Sequence, residues 1–171
     1  AQFADVLGRV PLSRIPRVPP LCLLASAVGD GVYDRFERRY GVPLRGAYSS
    51  TETGAIAVDA APAAEVVRGT VGHPLPNVSL AIGDAPSAGP PEPGATGRLW
   101  VRSPWQMAGY GLPPACERPG DRDGWWPTRD LASLDPDGRV RLRGRIDDCV
   151  RTREGRLVNL EAVAERIRDV E

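Results

Sequence analysis

The stretch LCLLASAVGDGVYDRFERRYGVPLRGAY, residues 21–48, decides how this chain is read. Leu21 to Ala25 form a continuous apolar run, the character of a strand covered on both faces. Asp30 stands where a helix cap belongs, and Val32, Tyr33, Phe36 and Tyr40 then share one face at helical spacing, with Gly41 just past the last of them. Pro43 to Tyr48 reads as the next strand. Strand, helix and strand joined by short connections predict a parallel α/β unit.

Outward from this unit the pattern changes on both sides. Upstream, Phe3, Val6 and Leu7 before Gly8 suggest the end of a short helix. Downstream, from about residue 66, the period becomes two: Val78, Leu80 and Ile82 alternate with Asn77, Ser79 and Ala81, and Val140 and Leu142 alternate with Arg139, Arg141 and Arg143. These predict half-buried antiparallel strands. The Pro-, Gly- and Ala-rich stretch from Ala85 to Ala95 has no period and reads as a hairpin excursion, because strand pattern resumes at Arg98 to Val101. After Arg145 comes a third unit: two Asp residues, a short strand, a turn at Glu154-Gly155, and Asn159 capping a helix whose stripe is Leu160, Val163, Ile167 and Val170. The expected division is 1–65 for the α/β part, 66–146 for the antiparallel part and 147–171 for a small α+β unit with little core of its own.

Composition narrows the function classes. Lys plus Arg and Asp plus Glu each number 22, so no global field draws the chain to nucleic acid or to an anionic membrane. No apolar run approaches the ~20 residues of a membrane helix, and the N-terminus lacks a signal-peptide pattern, which predicts a cytoplasmic protein. Cys22, Cys116 and Cys149 are odd in number and far apart, the pattern of reduced thiols. Every basic residue is Arg; the sequence contains no Lys.

Residues with chemical potential sit at predicted strand ends. Tyr48-Ser49-Ser50-Thr51-Glu52-Thr53-Gly54 follows a strand, where α/β sheets bind ligands; its aromatic ring, hydroxyls and carboxylate can stack a base, bond a phosphate and hold a divalent cation. Equally, a Ser/Thr-rich turn can do no more than satisfy its own backbone. Asp130 opens a strand and offers a carboxylate able to accept two hydroxyls, as a ribose diol presents them. Asp121 to Gly124 and Asp135 to Gly138 faintly resemble calcium loops but lack the ligand spacing, so both read as hairpin turns. His73 has no Ser or Cys pattern beside it and reads as a turn residue. Gly144 to Asp148 reads as a charged connector.

Five of these pieces, in order, resemble the adenylate-forming superfamily of acyl-CoA synthetases, peptide-synthetase adenylation domains and luciferases. They are Tyr48-x-x-Thr51-Glu52-Thr53-Gly54; Val71-Gly72-x-Pro74-Leu75-Pro76; Gly97 to Val101 followed by Gly109-Tyr110; Gly124-Trp125 followed by Thr128-x-Asp130; and Gly144-Arg145-x-Asp147-Asp148 followed by Gly155-Arg156. The resemblance implies a fold made of the end of a parallel α/β subdomain, a distorted antiparallel β-barrel subdomain and the start of a small α+β lid. It implies an enzyme that uses ATP and Mg2+ to turn a carboxylic acid into an acyl-AMP and passes the acyl group to coenzyme A or to the phosphopantetheine of a carrier protein. The implied roles are adenine stacking for Tyr48, phosphate bonding for Thr51, metal binding for Glu52, ribose contact for Asp130 and Arg145, the lid's hinge for Asp147, and the thiol's approach for Gly155 and Arg156. Thr51, Glu52 and Arg145 are the expected catalytic set.

Two positions depart from the family pattern. Ser49 and Arg129 stand where it has Gly, and a side chain there can crowd the nucleotide. The Ala25-Ser26-Ala27 segment also looks short. The family's phosphate loop lies upstream of residue 1 and its catalytic lysine downstream of residue 171, so the chain is expected to be part of a larger enzyme and inactive without the rest. The alternative is a non-catalytic binding module that kept the fold.

Overall fold

The computed structural model describes residues 22–24, 30–86, 91–111, 123–154, 157–160, 163–164 and 167. The expected helix end near Phe3, the Ala25 to Ala27 segment, Cys116, Asp121, Gly155, Arg156 and Val170 lie outside these residues.

The decisive stretch folds as its pattern predicts. Strand β1 (Cys22–Leu24) runs parallel to β2 (Leu44–Ser50), with Cys22 opposite Leu44 and Leu24 opposite Gly46. Helix α1 (Asp30–Tyr40) joins them. Tyr33 and Phe36 are buried on its inner face and pack with Leu44, while Val32 and Tyr40 flank them. The helix stops at Gly41, whose φ of 68° is readily adopted only by a residue without a side chain; its N–H donates to the Glu37 carbonyl at 2.9 Å. Arg38 and Arg39 in the last turn complement the carbonyl end.

β2 turns at residues 51–53 into β3 (Gly54–Val58), its antiparallel neighbour, and β4 (His73–Pro74) pairs with β3 in turn. The first sheet is therefore mixed, in the order β1-β2-β3-β4. A second sheet follows as a meander of β5 (Ser79–Ile82), β6 (Gly97–Arg102), β7 (Trp126–Leu134) and β8 (Val140–Arg145), all antiparallel. The Ala85 to Ala95 stretch is the hairpin connection expected between β5 and β6. Asp135 to Gly138 is a turn, with Asp135 Oδ1 accepting the backbone N–H groups of Asp137 and Arg139.

The barrel implied by the resemblance does not close among the described residues: β5 and β8 are the two edges of an open four-stranded sheet. The edge at β8 meets a different partner. Val140 donates to the Gly72 carbonyl at 2.8 Å and accepts from the Val71 N–H at 2.9 Å, so backbone bonds tie the second sheet to the segment entering β4. One buried cluster fills the space between: Tyr48, Ile56, Ala57 and Val71 from the first part, Leu99, Val101, Ala132 and Val140 from the second. The alternating Val78, Leu80, Ile82 and Leu142 pack against it, which is the face the period of two assigned to them.

Past β8, a single 3-10 turn (Ile146–Asp148) leads to an antiparallel hairpin of β9 (Cys149–Arg151) and β10 (Leu157–Asn159). Asn159, expected to cap a helix, is the last residue of β10 and directly precedes the helical residue Leu160, with Val163, Ala164 and Ile167 also helical; its Nδ2 donates to the Arg143 carbonyl at 3.1 Å. Leu160, Val163 and Ile167 of the expected stripe are exposed. Cys149 is a free thiol, its pKa raised by burial and by Asp148. No helix among the described residues is long and apolar enough to cross a membrane.

Candidate nucleotide site

A cavity of about 460 Å³ opens where the two sheets and the connector meet. Its walls come from the β2–β3 turn (Ser50 and Glu52), from β7 (Trp126 to Asp130), from the connector (Arg145 to Asp147), and from Arg98 and Tyr110. Three residues read from sequence as ribose and metal contacts, Asp130, Arg145 and Glu52, thus share one space although 93 positions separate Glu52 from Arg145.

Strand register explains the first pair. Asp130 and Arg145 face each other directly across β7 and β8, so their side chains rise from the same face. Arg145 Nη1 lies 3.5 Å from Asp130 Oδ1, and its Nη2 reaches Asp147 Oδ2 at 3.3 Å. Thr128 holds the strand end: its hydroxyl donates to the Leu99 carbonyl at 2.7 Å and accepts from the Asp130 N–H at 3.2 Å. The Tyr48 hydroxyl donates to Asp130 Oδ2. Burial and then the Asp130 charge drive the Tyr48 phenol far above its usual range, so it acts as a neutral donor.

Glu52 is set from the other side. The Tyr110 hydroxyl donates to Glu52 Oε1 at 2.6 Å, and this bond is the first cause that holds the carboxyl below its ordinary range, against the opposing effect of burial. The turn between Ser50 and Gly54 satisfies its own polar groups and also presents a carboxylate to the cavity. Ser50 Oγ accepts the Thr53 N–H at 3.1 Å and bonds Thr53 Oγ1 at 2.9 Å, a turn satisfying itself, while Glu52 faces the cavity. Thr51 is exposed at its tip.

The expected residues are not all equally placed. Tyr48 belongs to the core and is only 6% exposed, so in this state its ring is covered and only its hydroxyl engages the site. Ser49 is exposed, and Arg129 reaches outward to Asp147 Oδ2 at 3.2 Å with its side chain 73% exposed. Ser49 does not line the cavity, whereas Arg129 forms part of its wall beside Asp130. Tyr110 and Trp126, whose ring centroids are 6.0 Å apart, line the cavity without having been given a role from sequence. For Tyr110 the signal was present in the Gly109-Tyr110 motif, but its partner Glu52 is 58 residues away and only the fold reveals it.

The donor set also bears on a cation. Among the described residues no group of three or more His, Cys, Asp or Glu side chains converges. Of the carboxylates on the cavity wall, Asp130 and Asp147 engage Arg145, while Glu52 supplies a hard oxygen apart from that pair. Mg2+ is commonly held by one or two carboxylates, with water and substrate phosphates completing the octahedron, and that arrangement fits a single Glu52.

Known proteins share sequence and fold with this chain. The family model described as AMP-binding enzyme matches residues 9–111, more than half of the chain. A fatty acid–[acyl-carrier-protein] ligase, MmaC of Mycobacterium marinum, is 34% identical over 149 residues, covering 78% of this chain and 28% of that ligase. The amide bond synthetase McbA of Marinactinospora thermotolerans superposes with a TM-score of 0.76 at 26% identity, over 95% of this chain and 34% of its own. A malonyl-CoA ligase with methylmalonyl-CoA and AMP bound superposes with a TM-score of 0.67 at 29% identity, over 87% of this chain and 32% of its own. The chain thus spans roughly a third or less of each of these proteins. With more than half of its length matched by the family model, the chain belongs to the AMP-binding enzyme family.

Proposed function

We propose that this chain forms the nucleotide-holding part of an adenylate-forming ligase, which activates a carboxylic acid as acyl-AMP and passes it to a thiol. The observation that carries the reading is that Asp130, Arg145 and Glu52 line one cavity large enough for part of a nucleotide. Asp130 accepts the ribose hydroxyls, held in place by Tyr48 from below and Arg145 from beside. Arg145 adds donors and positive charge next to the sugar. Thr51, at the exposed tip, meets a phosphate oxygen that enters over the turn. Glu52 holds Mg2+, which when bound neutralises charge on the phosphates. Tyr48 can stack on a base only where bound nucleotide displaces what now covers its ring.

The acceptor is the pantetheine thiol of coenzyme A or of a carrier protein, both of which appear in the names of similar ligases. The acid is the remaining substrate. Asp147, in the turn between the second sheet and the terminal hairpin, is the hinge in this reading; Gly155 and Arg156 line the thiol's approach. None of the 171 residues is lysine, so any lysine the chemistry needs belongs to the remainder of the enzyme.

The test is ATP and AMP binding followed by tryptophan fluorescence, since Trp126 lines the cavity. Asp130→Ala should weaken ATP about 10- to 100-fold, the loss of one or two charge-assisted bonds. In the complete enzyme the same variant should raise the apparent ATP requirement far more than that for the acid. An unchanged ATP affinity, or equal losses for both substrates, would reject the ribose assignment.

A further inference from the structure

The turn that carries Glu52 is clasped from outside by residues 103–110. Met107 N–H donates to the Glu52 carbonyl at 2.8 Å, Ser103 Oγ donates to the Thr53 carbonyl at 2.6 Å, and Trp105 packs where Gly54 has no side chain. These contacts fix the backbone of the turn. They leave the Glu52 side chain free to swing, because it projects from the turn towards the open cavity. The Tyr110 hydroxyl, 2.6 Å from Oε1, removes that freedom, and the Tyr110 ring is in turn steadied against Trp126.

We propose that Tyr110 is a positioning residue for Glu52, orienting its carboxylate towards the cavity so that a divalent cation arriving on nucleotide phosphates meets a ligand already in place. The proposal rests on the nucleotide reading above and adds to it a residue that does not itself touch the cation. A tyrosine hydroxyl suits the task. It donates one bond to one carboxylate oxygen and leaves the second oxygen and the remaining lone pairs for the metal. Partners of this kind set the geometry of metal ligands, and their loss typically lowers metal affinity by 10- to 100-fold. An exposed carboxylate on a flexible side chain otherwise loses rotamer freedom each time it binds.

The experiment compares ATP binding by the chain in Mg2+ and in EDTA, for the unmodified protein, Tyr110→Phe, Glu52→Gln and the double variant. Tyr110→Phe keeps the ring and its contact with Trp126. The ratio of affinity with Mg2+ to affinity in EDTA should fall about tenfold in Tyr110→Phe. In the Glu52→Gln background the same change should have little further effect on that ratio, because both substitutions act through one carboxylate. A ratio unchanged in Tyr110→Phe, or losses that add in the double variant, would overturn the positioning role while leaving nucleotide binding intact. If the unmodified protein binds ATP in neither condition, the nucleotide reading fails and this proposal fails with it.

Discussion

The Tyr48 hydroxyl donates to Oδ2 of Asp130, joining β2 of the first sheet to β7 of the second across 82 residues of sequence. The bond has two consequences. It connects the shared core to the cavity, and it gives a buried phenol a carboxylate partner.

Tyr48→Phe should destabilise the chain by about 1.5–3 kcal/mol, the usual worth of a hydrogen bond to a charged group, while the ring's packing is kept. The pH dependence has a definite sign. The folded phenol has a raised pKa, so above about pH 10 the unfolded chain loses a proton that the folded chain retains. Stability should therefore be full below pH 10 and decline as pH rises past it, and Tyr48→Phe should flatten that decline. Urea unfolding at pH 8, 10 and 11 measures both; parallel profiles for the two proteins would refute the assignment.

Arg45 and Asp59 form a buried ion pair at 3.7 Å, with side chains 7% and 3% exposed. Arg45 Nη1 also donates to the Asp59 and Ala61 carbonyls, and Asp59 accepts the N–H groups of Ala61 and Val67. Asp59→Ala strands the guanidinium and frees two backbone donors, so it should cost about 3–5 kcal/mol. Arg45→Met should cost less, because Asp59 keeps its backbone donors. Equilibrium urea unfolding checks the order, and an Asp59→Ala loss below about 1 kcal/mol would show that this pair does not anchor the loop.

Gly144 sits at φ 116°, and Asn159 occupies the place where a side chain would project. Gly144→Ala therefore combines backbone strain with a clash, and Asn159→Ala removes the bond to Arg143. Both should raise amide hydrogen exchange in β9 and β10 and leave β5 to β7 as protected as before. The proposed hinge at Asp147 places the boundary of loosening in the turn Ile146–Asp148. Exchange that rises equally through β7 would count against a hinge there.

Several elements were legible because the signal is local. The apolar run through Cys22 to Leu24, the face of Tyr33 and Phe36, Gly41 beyond the helix and the Asp-Gly turn at residue 137 each depend on neighbours within one turn or one strand, and each is where the pattern put it. The placement of Val140 and Leu142 towards the core follows from a period of two in the same way. Asn159 shows the limit: it stands directly before the helical residue Leu160, as the local pattern put it, but it also ends β10 and its amide engages the Arg143 carbonyl, a partner on another element that the pattern does not show.

By itself the sequence determined the mixed α/β and antiparallel character of the chain, the order of its family motifs and the presence of Asp130, Arg145 and Glu52, since periodicity and motif spacing are written along one dimension. Only the tertiary structure decided that the second sheet, among the described residues, is open and bonds to residues 71–72, that Tyr48 turns into the core, and that Tyr110 reaches Glu52. These depend on which distant segments meet once apolar surface has left water, and a hydrogen bond between groups 58 or 82 residues apart has no trace in local pattern.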